Sequence, residues 1–378
     1  MFPITLDVLI VGGGIAGLWL LDECRRSGYD VLLLESKALG SGQTIASQGI
    51  LHGGLKYSLA RASNRFINNI KKMPPIWQAC LSGLREPNIS SVRLRGKYCC
   101  MWTANSFLSR ISQIGVQIGF SSVTAFMAKD ERPIPLRDCP GKILRVDEQI
   151  IDPKSLLAVL AKRNLKTIIH APSFNFSSEL VTIYHPENGD RVLFKPKIII
   201  FAAGKSNSLL RKIHGLDSSI MVCKPLPILV VSGNLPELNG YCIDFVKARA
   251  IITTQRTNAN HAVWQVASET AMQKSEGNFI NYAWQELRSA LPGFKWPDIT
   301  LSTYTSNRAE IMTGGVRVNN SYALRDGNII TAWPTKLVLA PYLAEQVLKM
   351  LPAPSNNKNG VIVCKDWPRP KIAPFPWL

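Results

Sequence analysis

Gly12, Gly14 and Gly17 follow directly on the apolar run Leu6 to Val11, and Glu35 closes a second apolar run, Val31 to Leu34. In the spacing G-x-G-x-x-G each glycine has a separate task. Gly12 permits a tight turn, Gly14 lets backbone come up to a pyrophosphate, and Gly17 lets the following helix pack close to its strand. Ile15 and Ala16 then sit at a helix N-terminus, where free N–H groups and a positive dipole end favour phosphate. Glu35 stands where an acid accepts hydrogen bonds from a ribose. Taken together, these residues predict a dinucleotide site.

The same fingerprint serves nicotinamide and flavin dinucleotides, so the residues beyond Glu35 must decide. Ser36 to Gly54 is rich in glycine and hydroxyl groups and too long for a simple strand–helix turn. It is suited to wrap a pyrophosphate and lead toward a ring system, with Ser36, Gln43, Thr44 and Gly49 among its candidate contacts. A second G-x-G-x-x-G is absent from the sequence, which argues against a separate nicotinamide domain. FAD is the expected cofactor.

The elements that position these residues follow from periodicity. A helix is expected from Ile15 to Ser27, stopped by Gly28 in a left-handed cap. Leu55 to Leu84 reads as helical, Val92 to Trp102 as strand and Ser106 to Ile114 as a short helix. Asp152-Pro153 starts a helix to Lys162 as N-cap and first-turn proline. Val181 to Phe194 reads as a hairpin turning at Asn188-Gly189. Lys197 to Ala203 is a buried strand that Gly204 terminates. Residues 220 to 268 read as antiparallel strands, followed by an amphipathic helix from Phe279 to Leu291. A strand from Ile299 to Thr305, another from Asn328 to Trp333 and a long helix from Lys336 to Met350 complete the pattern. Six prolines between Pro352 and Pro376 predict an extended tail laid over the surface.

The segments Gly12 to Gly17, Glu35, Ser47-Gln48-Gly49-Ile50-Leu51-His52-Gly53-Gly54-Leu55-Lys56-Tyr57 and Ala202-Ala203-Gly204 resemble the FAD-dependent D-amino-acid oxidase superfamily. Asp326-Gly327-Asn328 and Trp333-Pro334-Thr335-Lys336-Leu337 extend the match. The stretch from His52 to Tyr57 is especially similar to flavin-linked glycerol-3-phosphate dehydrogenases. The resemblance implies an α/β fold: a Rossmann-like FAD-binding domain on a parallel sheet, interleaved with a mixed or antiparallel substrate domain. Residues 1–85, 145–215 and 305–352 would form the first, 86–144 and 216–304 the second, and 353–378 the tail. It also implies that Ser47, Gln48, His52 and Gly53 lie along the flavin, with His52 near the isoalloxazine. Ile168 to His170 would sit near the adenine, and Ala203-Gly204 would supply a second backbone contact. The turn Pro334-Thr335-Lys336 would set the last helix's N-terminus against the flavin N1/O2 edge, Lys336 adding positive charge. Arg308 falls where relatives hold a substrate carboxylate, although they follow that arginine with proline and this chain continues Ala309-Glu310. Tyr57, Tyr241 and Tyr304 are candidates to cap the flavin face.

Composition bounds the rest. The chain has 378 residues, 46% of them hydrophobic and 19% charged, which suits a globular protein with a sizeable core and excludes a disordered or fibrous one. No apolar stretch is long enough to span a membrane, and the opening residues predict no secretory signal. A cytoplasmic protein is expected, at most peripheral to the inner face of a membrane. None of the eight cysteines forms a C-x-x-C pair, which argues against zinc and against a disulfide framework; Cys99 and Cys100 read as reduced core residues. The 44 basic and 26 acidic residues leave a net charge of +18, a field that concentrates anions. The preferred reading is therefore an FAD-dependent dehydrogenase or oxidase. It would oxidise a C–H bond next to nitrogen or oxygen of a small anionic substrate, passing electrons to oxygen or a quinone. One alternative is a flavin-dependent modifier of tRNA bases, since the charge fits phosphate contacts. Another is a peripheral quinone-linked dehydrogenase, using Leu55 to Lys72 as a basic amphipathic helix.

Overall fold

The computed structural model describes residues 2–55, 64–104, 123–177, 179–244, 247–274, 278–313, 316–318, 320–355 and 366–378. The expected helix from Ser106 to Ile114 and the pair Lys56-Tyr57 lie outside them.

Two large sheets organise these residues. The first has eight strands, and its main path is Tyr322–Asp326, Ile329–Trp333, Arg191–Phe201, Ile4–Val11 (β1), Val31–Glu35 (β2), Ile168–His170. From Ile329–Trp333 to Ile168–His170 the neighbours run parallel. β1 and β2 are nearly continuous apolar runs because both faces of a parallel sheet are covered. The helix Ile15–Arg26 (α1) crosses between them, buries Ile15, Leu18, Trp19 and Leu21 against the sheet, and leaves Arg25 and Arg26 in its last turn. Gly28 follows at φ 86°, the left-handed stop expected. The hairpin at residues 181–194 forms as expected, with Tyr184 opposite Arg191.

The second sheet has nine strands in the order Val316–Val318, Ile299–Thr313, Met221–Gly233, His261–Ala267, Lys247–Asn258, Gly240–Asp244, Cys99–Trp102, Leu144–Val146, Val123–Phe126. Strands 221–233 and 299–313 pair antiparallel along their whole common length, so Arg308 lies opposite Lys224. The strand expected to end at Thr305 therefore continues to Thr313, and the domain boundary expected at residues 304 and 305 falls inside it. The run read as one strand from Val92 to Trp102 is two. Leu94–Gly96 pairs with Ile150–Ile151, and Cys99–Trp102 belongs to the large sheet.

Asp152 caps the helix Pro153–Arg163, accepting from Ser155 N–H at 3.1 Å with Pro153 in the first turn. Within the stretch from Leu55 to Lys72 the described helix is Asn64–Lys71, followed by Met73–Leu81. Phe66 and Ile70 from that stretch are spent in the core rather than on a surface. The last helix is Ala340–Leu348, not Lys336 to Met350. Thr335 takes φ 57°, Lys336 is extended, and a 3-10 turn over Leu337–Leu339 precedes the helix, whose first turn contains Pro341.

The C-terminal residues do more than lie on the surface. Leu39 N–H donates to Lys371 O (2.8 Å) and Ala373 N–H donates to Leu39 O (3.0 Å), while Trp367, Ala373 and Phe375 are buried. Among the described residues no helix is long and apolar enough to cross a membrane.

Candidate active site

The glycine turn between β1 and α1 is shaped by close backbone contacts. At Gly12, φ is 113° and a Cβ would lie 2.7 Å from Ala202 O. A Cβ on Gly17 would lie 1.9 Å from Gly12 O, so this glycine lets α1 seat directly on the turn. Gly14 is different. Its φ is −80°, and the nearest atom to an added Cβ is Thr44 Oγ1 at 3.3 Å. The chain's own packing demands glycine at 12 and 17 but barely at 14, where the missing side chain leaves backbone open to a ligand. α1 carries no side-chain cap on Gly14 and no acidic residue in its first turn, so its positive end is left for an anion.

Around this turn the segment after β2 is folded back and pinned. Glu35, 9% exposed, accepts from Gly13 N–H (2.7 Å) through Oε2 and from Lys37 N–H (2.8 Å) through Oε1. Each carboxylate oxygen keeps a second lone pair for a hydroxyl. Gly40 N–H donates to Gly13 O (2.9 Å), and Ile15 N–H donates to Thr44 Oγ1 (3.0 Å). Ser47 Oγ donates to Thr44 O (2.8 Å). Ser36, half-buried, stands between the last residue of β2 and Lys37. On the far side of the turn, Ala202 N–H bonds Val11 O, and Ala203 N–H bonds the side chain of Asn207. Gly204 follows in the left-handed region, at φ 57°. Gly12, Gly14, Ile15, Ala16, Gly17, Glu35, Thr44 and Ala203-Gly204 are thus brought together as a cradle beside one carboxylate. In it the N–H groups of Ile15 and Ala203 fix the turn through Thr44 and Asn207, and those of Ala16 and Gly17, in the first turn of α1, are the donors toward a ligand. That donor set fits the pyrophosphate and ribose of a dinucleotide.

The segment 43–53 then crosses to the second sheet. Gln43 Oε1 accepts from Ala309 N–H (3.0 Å). Gln48 spends its amide nitrogen on Ile251 O and Gln265 O, each at 2.9 Å, which ties this segment to two strands of the second sheet. Gly49 has φ 75°, and an added Cβ would lie 2.1 Å from Ile151 O. Gly53 N–H donates to Glu148 Oε1 at 2.6 Å. The other oxygen of Glu148 accepts from Tyr241 OH in a short hydrogen bond, and that hydroxyl lies 3.1 Å from His52 Nδ1. His52 Nδ1 is also 3.5 Å from Glu148 Oε2. Glu148 and Tyr241 are both buried, while the imidazole is 19% exposed. Burial, then Cys99 and then Glu148 hold the Tyr241 proton on, well above the ordinary tyrosine range. Tyr241 therefore supports His52 from beneath.

A second polar group lies beside Ala46. Tyr304 OH donates to Ala46 O (2.8 Å) and accepts from Gln265 Nε2 (2.7 Å), while Gln265 Oε1 accepts from Arg95 Nη1 (2.9 Å). Burial draws the pKa of Arg95 down to about 10, against the pull of Asp152, so the guanidinium stays charged near neutrality. Its Nε and Nη2 are buried without a hydrogen-bond partner among the described residues. Its Cζ lies 5.2 Å from the centre of the Phe375 ring, which stacks on Trp377 at 4.7 Å. Trp377 in turn lies 5.8 Å from Tyr304. The C-terminal tail thus covers this corner.

Arg308 is half-buried, and its Nε sits 2.6 Å from Glu310 Oε1, a carboxylate 1% exposed. Its charge is already matched from its own strand. Lys336 Nζ lies 5.3 Å from the centre of the Phe66 ring, and Pro334-Thr335-Lys336 forms a tight turn in which Lys336 N–H bonds Pro334 O (2.6 Å).

Glu148, Arg95 and Gln265 were not expected from the sequence. Glu148 stands in a run with no periodicity, and Gln265 reads as an ordinary strand residue. The one signal at Arg95 is the following Gly96, where a Cβ would lie 2.7 Å from Asn239 Nδ2, marking a close approach of backbone.

Residues 7–332 match the family model described as FAD dependent oxidoreductase, DAO. The chain belongs to the DAO family of FAD-dependent oxidoreductases. Its expected cofactor, FAD, is that family's. The chain is 30% identical over 383 residues to the probable FAD-dependent oxidoreductase PA4991 of Pseudomonas aeruginosa, covering 99% of this chain and 98% of that one. The crystal structure of PA4991 superposes with a TM-score of 0.81 at 27% identity, covering 100% of this chain and 98% of that one. Glycine oxidase from Geobacillus kaustophilus shares the fold, with a TM-score of 0.65 at 16% identity, covering 92% of this chain and 95% of that one. So does the FAD-bound L-α-glycerophosphate oxidase of Mycoplasma pneumoniae, at 0.63 and 16%, covering 94% and 98%.

Proposed function

We propose that this family member oxidises a C–H bond adjacent to nitrogen or oxygen in a small anionic substrate, an amino acid, a 2-hydroxy acid or a polyol phosphate. The observation that carries the reading is His52. It stands on the segment that runs from the dinucleotide cradle to the second sheet, and a buried carboxylate and tyrosine hold it. When bound, FAD supplies the two-electron acceptor, taking up a hydride from the substrate carbon at N5. The chain's own residues do the rest. Gly12, Gly14, Ile15, Ala16 and Gly17 hold the pyrophosphate, and Glu35 the ribose. Ser36, Gln43, Thr44, Ser47, Gln48, Gly49, Gly53, Ala203 and Gly204 line the cofactor's course, directly or by fixing the backbone that does. His52 accepts the proton that leaves the substrate's nitrogen or oxygen as the adjacent C–H bond is broken. Arg308, although paired with Glu310, and Lys336 of the turn Pro334-Thr335-Lys336 supply positive charge on the substrate side. Arg95 adds a further buried cation beside Ala46.

The test is anaerobic bleaching of the holoenzyme's flavin absorbance across amino acids, 2-hydroxy acids, glycerol phosphate and tRNA. Rapid bleaching by one of the small anions supports the reading. Bleaching by tRNA alone, or by none of them, overturns it. The small-anion result should be followed by reoxidation with oxygen or a quinone analogue, which identifies the acceptor.

A further inference from the structure

We infer that Glu148 and Tyr241 are positioning residues that lock His52 in the Nδ1–H tautomer, leaving Nε2 as the proton acceptor of the site. The carboxylate of Glu148 has two oxygens and no hydrogen to give. Oε1 takes Gly53 N–H (2.6 Å) and Oε2 takes the Tyr241 hydroxyl proton. With its only proton committed, the Tyr241 oxygen can only accept from His52, 3.1 Å away. Glu148 Oε2, 3.5 Å from Nδ1, is again an acceptor. Both neighbours of Nδ1 therefore call for an N–H there. A neutral imidazole carries one N–H, so the lone pair falls on Nε2. The remaining group against this hydroxyl is the Cys99 thiol, which burial keeps protonated, well above its usual range.

The three side chains come from far apart: His52 from the flavin segment, Glu148 from the turn after strand 144–146, and Tyr241 from strand 240–244. The carboxylate does two things at once. It anchors the backbone of the segment through Gly53 and sets which ring nitrogen can take a proton. The use of Nε2 in catalysis rests on the proposed function, but the tautomer itself does not.

This predicts a specific response to Glu148→Gln. Gly53 N–H still needs an acceptor, so the amide oxygen turns toward it and the NH2 faces Tyr241. The tyrosine oxygen must then accept from the amide and turn its own proton to His52 Nδ1. The tautomer inverts, and the N–H moves to Nε2. Tyr241→Phe removes the relay but leaves Glu148 facing Nδ1, so the N–H stays on Nδ1.

The experiment is long-range proton–nitrogen NMR of the FAD-loaded protein with 15N-labelled histidine. There are five histidines in the chain, and His52→Asn assigns the relevant signals by their disappearance. The expected result is a protonated Nδ1 and a bare Nε2 in the wild type and in Tyr241→Phe, and the reverse in Glu148→Gln. A wild-type spectrum with the proton on Nε2 overturns the inference, and beyond the His52→Asn assignment that measurement requires no variant to fold. A folded Glu148→Gln that keeps the wild-type pattern overturns it too. With the reducing substrate found in the panel above, Glu148→Gln should slow flavin reduction by about 10²–10⁴-fold, the usual share of a general base, with substrate affinity little changed. A panel in which nothing bleaches the flavin would remove the proposed function and leave the tautomer standing.

Discussion

Replacing Gly17 with alanine tests the cradle at its tightest contact. Gly17 lies inside α1 with ordinary helical geometry, so propensity alone would favour alanine by roughly 0.5–1 kcal/mol. The new methyl carbon, however, would stand 1.9 Å from Gly12 O, where ordinary contact begins near 3.4 Å, a shortfall of 3.4 − 1.9 = 1.5 Å. Neither partner can swing away, because Gly12 is held by its own N–H bond to Leu34 O and by its contact with Ala202. The helix start must therefore move away from the sheet by an ångström or more. Overpacking of this kind costs about 1–3 kcal/mol. The shift also misaims the N–H groups at Gly14 to Gly17, and losing even one hydrogen bond to a charged phosphate costs about 1.5–3 kcal/mol. At about 1.4 kcal/mol per tenfold, FAD affinity should fall by about ten- to a hundredfold. Titration of apoprotein with FAD, followed by flavin fluorescence quenching, measures this directly. Gly42→Ala is the control, since nothing lies within 4 Å of its added Cβ. Wild-type FAD affinity and melting temperature in Gly17→Ala would refute this account of the turn.

Truncation before Lys371 removes both backbone bonds to Leu39 together with the Phe375 and Trp377 cover. Because the Leu39 side chain occupies the space beside Gly13, FAD should dissociate on the order of tenfold faster, from two lost hydrogen bonds of about 1 kcal/mol each; unchanged retention on dialysis would refute this. Asp152→Ala should destabilise the fold by about 1 kcal/mol through the lost helix cap, and by more because Arg93 loses its partner. The pH dependence follows the same group. Burial alone would raise the Asp152 pKa, but Arg93, Arg95 and Ser155 together hold it below the usual carboxylate range. A depressed folded-state pKa contributes stability that is present above the unfolded value and lost as pH falls through the folded one, so wild type and Asp152→Ala melting temperatures should converge in acid. Burial pushes the thiols of Cys24, Cys100 and Cys242 up to about 12. Iodoacetamide at neutral pH should therefore label the exposed Cys223 and spare those three, as peptide mass mapping would show.

Local chemistry made much of this protein readable from its chain alone. The glycine spacing, Glu35, the Gly28 stop, the Asp152-Pro153 cap and the Asn188-Gly189 hairpin each depend on the φ/ψ demands or hydrogen bonds of a few neighbouring residues. Those are carried by residue type and short spacing. The glycine- and hydroxyl-rich segment after Glu35 was legible as a long loop for the same reason, although its attachments were not: Gln48 is tied to carbonyls more than 200 positions away.

Tertiary structure decided what depends on register between distant strands. Glu148 meets Gly53 across 95 positions and Tyr241 across 93, so no window of sequence contains the His52 support. Arg308 pairs with Glu310 two positions along its own strand, which spacing alone allows, but the burial of that carboxylate came only with the fold. Arg95 gained its buried, half-satisfied position from a C-terminal tail that composition presented only as extended. The last helix starts four residues later than its periodicity suggested, since Thr335 and Lys336 are drawn into a turn before Pro341 can begin a helix. Side-chain type specifies what a group can do. Which partner it finds is settled only when packing sets the strands against one another, because burial and hydrogen-bond satisfaction are properties of the whole fold rather than of any segment.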